Sequence, residues 1–147
     1  CVQVFDRVAR RMEQTGGAGF HREAETTSIR HKAVRAAVEL ANSLPDSKIV
    51  VFTRRGFMAD HFSQMRPAQA PIYAFTPSEE VARRLTLNWA TIPIVMRFDL
   101  DPEHTVAEAE KLLLNRGLAQ IGTQLVVLTD ILTGNERYDS IQLRRVV

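Results

Sequence analysis

The chain has 147 residues, of which 45% are hydrophobic and 24% are charged. This composition is that of an ordinary globular protein. It excludes a disordered, collagen-like or coiled-coil chain, and no apolar stretch approaches the roughly 20 residues of a membrane span. The net charge of +2 is too small to predict nucleic-acid binding. Cys1 is the sole cysteine, which excludes an internal disulfide and a zinc site built from several thiolates. We therefore expect one cytoplasmic domain with neither a nucleic-acid nor a membrane partner.

Taken in chain order, the apolar spacing predicts helices that alternate with short strands. The first two helices come before any strand, and a loose stretch at residues 16–27 separates them. The period then changes, because Ile49–Phe52 is a continuous apolar run typical of a strand buried on both faces. The predicted helices are residues 2–13, 28–44, 57–65, 78–87 and 104–116. The predicted strands are residues 49–52, 71–75, 92–96, 125–128 and 141–147, the last at a sheet edge.

This alternation favours an α/β fold built from βαβ units. The expected architecture is a three-layer αβα sandwich, in which helices cover both faces of a five-stranded, mostly parallel sheet. No linker is long enough to divide the chain, so residues 1–147 are expected to form a single domain.

The turn after the first strand is the strongest candidate for a binding site. Thr53, Arg54, Arg55 and Gly56 follow a buried strand and precede a helix. In an open parallel sheet ligands bind beyond the carboxyl ends of the strands, and the free N–H groups at a helix N-terminus attract phosphate. The threonine hydroxyl and the arginine side chains would add donors. A plain turn with two solvated arginines explains the same pattern, so both interpretations stay open.

No catalytic or metal-binding set emerges from the spacing of the titratable residues. The histidines, at positions 21, 31, 61 and 104, are scattered, and none belongs to a paired metal-binding motif. Each is expected to face solvent. His61 lies in the first turns of the helix after Gly56, however, where it could approach a ligand.

Two features near the fourth predicted helix are interpreted as structural. Arg83 and Arg84 follow Glu79 and Glu80 by four residues, a spacing at which opposite charges pair on one helix face. Trp89, just after that helix, is expected to anchor packing in the core or at an interface, because tryptophan buries a large apolar surface.

Short motifs follow one another along the chain in a defined order. They are Lys48–Thr53, Gly56, Ala59, Ser63–Pro67, Ala70–Ile72, Thr76, Ala82–Leu85, Leu87–Trp89 and Pro93. In this order and spacing they resemble the C-terminal domain of the pyruvate kinase family, where a strand is followed by T-x-x-G-x-[ST]-A and then by S-x-x-R-P. The resemblance covers nearly the whole chain, and residues 1–15 resemble the helix that leads out of the family's catalytic barrel.

The resemblance implies a fold, a parent activity and a site. The last of five strands would be antiparallel. The parent enzyme would transfer a phosphoryl group from phosphoenolpyruvate to ADP with magnesium and potassium. Its catalytic site would lie outside this chain, which would hold no catalytic residue, metal or cofactor of its own. This domain would form one interface of a homotetramer and grip the phosphate of a small-molecule effector. The phosphate position carries over to Thr53, Arg54, Arg55, Gly56, Phe57 and Met58.

The chain departs from the family pattern at positions that concern the phosphate. Met58 stands where the family has a hydroxyl residue, and Ala90 stands where it has a glycine after the tryptophan. The expected loop at residues 136–140, with Asp130 nearby, would bring acidic groups that repel a second phosphate. We therefore expect a monophosphorylated effector, or none, rather than a bisphosphate.

Two other interpretations of the whole chain stay open. One is a stand-alone module of the same fold that senses a phosphorylated metabolite. The other is a purely structural interaction domain. The start without methionine and the barrel-exit helix are what we expect of a domain excised from a longer enzyme.

Overall fold

The computed structural model describes residues 1–14, 28–133 and 136–147, with the backbone alone at 130–133 and 136–138. Within these ranges helices and strands largely alternate. The helices are α1 (Val2–Gln14), α2 (Ile29–Ser43), α3 (Phe57–Gln64), α4 (Glu79–Leu85) and α5 (Pro102–Asn115). The strands are β1 (Lys48–Phe52), β2 (Ile72–Thr76), β3 (Thr91–Val95), β4 (Gln124–Thr133) and β5 (Glu136–Arg145).

The strands form one five-stranded sheet in the order β3–β2–β1–β4–β5. β1 pairs in parallel with β2 and β4, β2 pairs in parallel with β3, and β5 pairs antiparallel with β4. The expected mostly parallel sheet with an antiparallel last strand at one edge is therefore confirmed. Because β1 is the central strand, its carboxyl end has a neighbouring strand on each side.

Alternate side chains of β1 belong to two separate apolar cores. Ile49 and Val51 pack with residues of α2 and α3 and with Leu85 of α4. Val50 faces the other way and packs with residues of α5, including Leu113. The continuous apolar run in β1 thus results from burial of both faces of the sheet. The three-layer αβα architecture expected from the sequence is confirmed.

The final hairpin is longer than the sequence predicted. β4 and β5 pair from Gln124 with Arg145 to Thr133 with Glu136. Residues 136–140, expected to form a loop, therefore belong to a strand instead. Their polar composition has a low strand propensity, but an antiparallel ladder is held by backbone hydrogen bonds that any residue can make. Residues 134–135 lie outside the described part of the chain.

α5 also begins earlier than predicted. Asp101 is its N-cap, and the carboxylate accepts the Glu103 N–H over 3.0 Å. Pro102 occupies the first turn, where its fixed φ suits the helix and its missing N–H costs nothing. The cap therefore lies before His104, the residue at which apolar spacing placed the helix start.

α1 is an amphipathic helix without buried residues, and Val4, Phe5 and Val8 on its apolar stripe are exposed. Its bounds agree with the sequence prediction, whereas its role as a connection to a barrel stays a prediction. Across the described ranges, no helix has the length and apolar character needed to cross a bilayer.

Candidate anion-binding site

The chain turns sharply after β1, at the carboxyl end of the central strand. Thr53 continues the sheet by donating its N–H to Phe75 O over 2.9 Å. Its hydroxyl oxygen accepts the Gly56 N–H over 2.8 Å. Gly56 has a φ of +90°, in the left-handed region that strains any other residue, and it is the N-cap of α3. The Thr53 oxygen is thus held as an acceptor inside the turn, and a hydroxyl in this role still has a proton that it can donate.

The first turn of α3 supplies N–H groups without an acceptor inside the helix. The first helical hydrogen bond runs from Asp60 N to Gly56 O, so the amides of residues 57–59 precede it. These amides and the helix dipole favour an anion at this end. The Phe57 side chain is 62% exposed, whereas Met58 is 8% exposed and packs in the core. Met58 can therefore meet a ligand only through its backbone.

Arg54 and Arg55 are both exposed at this turn. The Arg54 guanidinium carbon lies 5.3 Å from the centre of the Phe98 ring, a cation–π distance. Phe98 packs edge-on against Phe52, with ring centres 5.7 Å apart. Arg54 is therefore ordered against an aromatic side chain, and Arg55 is solvated. Both arginines immediately precede α3 in the chain.

Arg84 belongs to the turn as well, and sequence reasoning missed it. Its guanidinium donates to Asp60 Oδ2 over 3.1 Å and to Arg55 O over 2.8 Å. The expectation that it pairs with Glu80 on its own helix is wrong, because the side chain reaches from α4 to the α3 side of the turn. The residues are 24 and 29 positions apart in the chain. No helical spacing could have indicated their contact.

The histidines do not converge on the turn. His31 of α2 and His61 of α3 are half-buried and make an edge-on ring contact with centres 4.3 Å apart, so the expectation that both face solvent is wrong. Burial, and then the nearby His31, lower the pKa of His61. Its ring therefore packs between α2 and α3. His104 is exposed as expected, and His21 lies outside the described residues.

The region of Trp89 agrees with a packing role. Trp89 is half-buried, and the Arg66 guanidinium carbon lies 4.9 Å from its ring centre. The following residue, Ala90, has a φ of +52°. This is the left-handed conformation for which glycine is suited, and it explains why a glycine is expected at this position of the family pattern.

The acidic groups expected to repel a second phosphate are described only in part. Asp139 is half-buried, and the Arg30 Nε donates to its Oδ2 over 3.3 Å, which offsets its charge. The side chains of Asp130 and of residues 136–138 lie outside the described residues, so repulsion from them stays a prediction.

A shallow cavity of about 290 Å³ adjoins the turn through Phe98. It lies between the end of β3 and the start of α5. Within it, His104 Nδ1 is 3.0 Å from Asp99 Oδ2. The pKa of the Asp99 carboxyl is lowered, chiefly because it accepts the Asp101 N–H. The lining residues are Arg97, Phe98, Asp99, His104, Thr105 and Glu108.

No cluster of three or more acidic, histidine or cysteine side chains that could hold a metal ion occurs in the described part of the chain. The turn is thus an arrangement of amides, a hydroxyl and positive charges, which can bind and orient an anion.

Known proteins share this sequence pattern. The chain matches the family described as pyruvate kinase, alpha/beta domain, over residues 31–143. Pyruvate kinase from Agrobacterium vitis is 33% identical over 135 residues, which are 87% of this chain and 28% of that protein. The chloroplastic pyruvate kinase isozyme G from Ricinus communis is 35% identical over 130 residues, which are 86% of this chain and 31% of that protein. The chloroplastic isozyme A from Nicotiana tabacum is 34% identical over 105 residues, which are 71% of this chain and 18% of that protein.

The chain therefore spans between 18% and 31% of the length of these relatives. A solved structure described as Cryptosporidium parvum pyruvate kinase in complex with ADP has a TM-score of 0.76 and 21% identity, and covers 84% of this chain and 25% of that one. That likeness shows a shared fold. Because chloroplastic forms are among the relatives, a cytoplasmic location stays a prediction. The family match extends over more than half of the sequence, and the chain belongs to the pyruvate kinase family as a C-terminal α/β domain.

Proposed function

We propose that the chain is the regulatory and assembly domain of a pyruvate kinase. Its family membership supports this, as does its share of only 18% to 31% of the relatives' length. The parent enzyme would transfer a phosphoryl group from phosphoenolpyruvate to ADP with magnesium and potassium, at residues beyond this chain. We assign no catalytic residue and no metal to the domain itself.

In this proposal the β1–α3 turn binds the phosphate of an effector. The observation that carries it is that the Thr53 hydroxyl, the amides of residues 57–59 and the charges of Arg54 and Arg55 occur together at one turn. The amides and the hydroxyl would donate to the phosphate oxygens, while the arginines supply countercharge. Gly56 would let the backbone approach the anion closely.

The cavity beside the turn supports a monophosphorylated ligand. Phe98 links the cavity to Arg54, so a ligand whose phosphate lies at the turn can extend along this wall. The carboxylates of Asp99 and Glu108 would accept hydrogen bonds from sugar hydroxyls. The same carboxylates would repel a second phosphate. A hexose monophosphate is therefore the probe that fits the proposal.

Isothermal titration calorimetry with a hexose monophosphate tests this site. We expect Arg55→Ala to weaken binding by about tenfold, which corresponds to about 1.4 kcal/mol, because a charged donor to the phosphate is lost. Arg116→Ala is the matched control. Arg116 is the C-cap of α5, and α5 leads back to the start of β4. This arginine therefore lies near the amino ends of the parallel strands, whereas the turn lies at their carboxyl ends. Equal affinity of both variants, or no binding by the unaltered protein, would refute the effector site.

We further propose that the domain takes part in a homo-oligomer, a tetramer in the parent enzyme. β5 is an edge strand, and Ile141 and Leu143 on it are 38% and 54% exposed. Exposed apolar side chains on a sheet edge favour association with a second chain. Light scattering should show an association that Leu143→Lys weakens and that the control Leu100→Lys, in an exposed loop, does not. A monomer at high protein concentration contradicts this role.

A stand-alone module that senses a phosphorylated metabolite would share the same site. The reading frame upstream of Cys1 separates the two cases. A barrel sequence there supports the enzyme domain, whereas a start codon close to Cys1 supports the stand-alone module. Association without any phosphate binding would instead support the purely structural interaction domain.

A further inference from the structure

We propose that Arg84 of α4 is a positioning residue for the phosphate turn. Its forked guanidinium holds the peptide unit between Arg55 and Gly56 in the orientation that an anion site requires. This inference rests on the proposed function. It deepens that function by naming a residue that sets the affinity of the site without itself touching the effector.

The guanidinium of Arg84 joins three elements. Nη2 donates to Arg55 O over 2.8 Å, and Nη1 donates to Asp60 Oδ2 over 3.1 Å. Asp60 Oδ1 in turn accepts the Asn88 Nδ2 over 2.7 Å. The side chain therefore ties α4 to the turn through one nitrogen and to α3 through the other. Arginine is suited to this task because its donors are fixed in one plane.

The peptide unit between Arg55 and Gly56 is held at both of its ends. Its carbonyl accepts from Arg84, and its N–H donates to Thr53 Oγ1 over 2.8 Å. A half-turn of this unit would move the carbonyl to the side now occupied by the N–H. Gly56 does not oppose such a rotation, because glycine adopts either sign of φ with similar ease. The two hydrogen bonds therefore select the orientation, and Arg84 supplies the one on the carbonyl side.

The absence of a side chain at Gly56 makes room for this contact. A Cβ there would lie 2.0 Å from Arg84 Nη2 and 3.1 Å from Cζ. Gly56 is thus needed for two separate reasons, its φ of +90° and the approach of the guanidinium. Any side chain at this position would displace Arg84 from Arg55 O.

Arg84 also offsets a negative charge beside the proposed phosphate. The Asp60 side chain, in the first turns of α3, is 23% exposed. Without its partner this carboxylate would oppose the binding of an anion at the same helix end. Loss of Arg84 would therefore weaken phosphate binding both through the turn geometry and through the charge of Asp60.

Calorimetry with a hexose monophosphate on Arg84 variants tests the proposal. We expect Arg84→Ala to weaken binding by about tenfold. Arg83→Ala removes the same charge from the neighbouring exposed position of α4 and should leave the affinity unchanged. Arg84→Lys keeps the charge beside Asp60 but cannot hold Arg55 O and Asp60 with separate fixed donors, so it should restore the affinity only in part. Unchanged affinity in Arg84→Ala, or full recovery with lysine, overturns the proposal.

Amide hydrogen exchange at Gly56, followed by NMR without any ligand, separates this inference from the proposed function. Exchange should be faster in Arg84→Ala than in the unaltered protein and in Arg83→Ala. If the unaltered protein binds no phosphate but this difference is seen, the proposed function fails and the positioning role stands. The contrary result is that Arg84→Ala lowers only the melting temperature and leaves the exchange rate at Gly56 unchanged. That result would show that Arg84 stabilises the fold without orienting the turn, and it would overturn the proposal.

Discussion

Replacing Ala90 with glycine should stabilise the protein, because the backbone at this residue is left-handed. Ala90 has a φ of +52°, and its carbonyl accepts the Ile72 N–H over 2.8 Å, so the β2 ladder holds it in this conformation. A residue with a Cβ costs roughly 1–2 kcal/mol in the left-handed region. The side chain is exposed, so its removal leaves no cavity.

The expected gain in the free energy of unfolding is smaller than the backbone strain that is removed, because glycine also makes the unfolded chain more flexible. That effect costs about 0.4–1 kcal/mol, which leaves a net stabilisation of about 0.5–1 kcal/mol for Ala90→Gly. For a chain of this size such a gain raises the melting temperature by about 2–3 °C.

Urea unfolding followed by far-UV circular dichroism measures this difference. Ala36→Gly is the matched control, since Ala36 is exposed within α2 and should lose about 1 kcal/mol on the same change. Opposite signs for the two variants support the reasoning. A loss of stability in Ala90→Gly equal to that in Ala36→Gly would refute it.

Two further predictions concern Gly56 and His61. Gly56→Ala should lower the free energy of unfolding by about 1–2 kcal/mol, because φ is +90° there and because the new Cβ displaces Arg84; a neutral result in urea unfolding would count against the turn geometry. The folded protein favours neutral His61, whose pKa is lowered by burial and by His31, so the unfolded chain binds a proton more readily. The stability from this residue is therefore present above about pH 6.5 and lost as the pH falls below it. His61→Gln should flatten the stability profile in that window, and an unchanged profile would show that His61 does not cause it.

The architecture could be predicted from the spacing of the apolar residues, because the buried positions recur with the period of the helix or strand that carries them. The continuous apolar run Ile49–Phe52 indicated a strand covered on both faces, and the alternation of helices with strands indicated a sheet between two helical layers. Thr53 and Gly56 could likewise be placed at one turn, since they lie close together in the chain. Local patterns were sufficient wherever the contact was local.

The rest of the site depends on contacts between distant segments. Arg84 meets Asp60 because its long side chain reaches from α4 to the first turns of α3, whereas its spacing to Glu80 indicated a different partner. Met58 lies in the apolar core that α3 shares with α2 and β1, so its burial depends on packing between separate elements. The strand at residues 136–140 was missed for a related reason, since pairing with β4 outweighs a polar composition.

Phosphate binding at the β1–α3 turn can be followed directly at the backbone amides that would hold it. An NMR titration of the protein with a hexose monophosphate, and separately with inorganic phosphate, follows the backbone amides one by one. We predict that the amides of residues 53–59 shift first and saturate together, and that the hexose compound also shifts Phe98 and Asp99. Shifts confined to other parts of the chain, or none at all, would contradict a phosphate site at this turn.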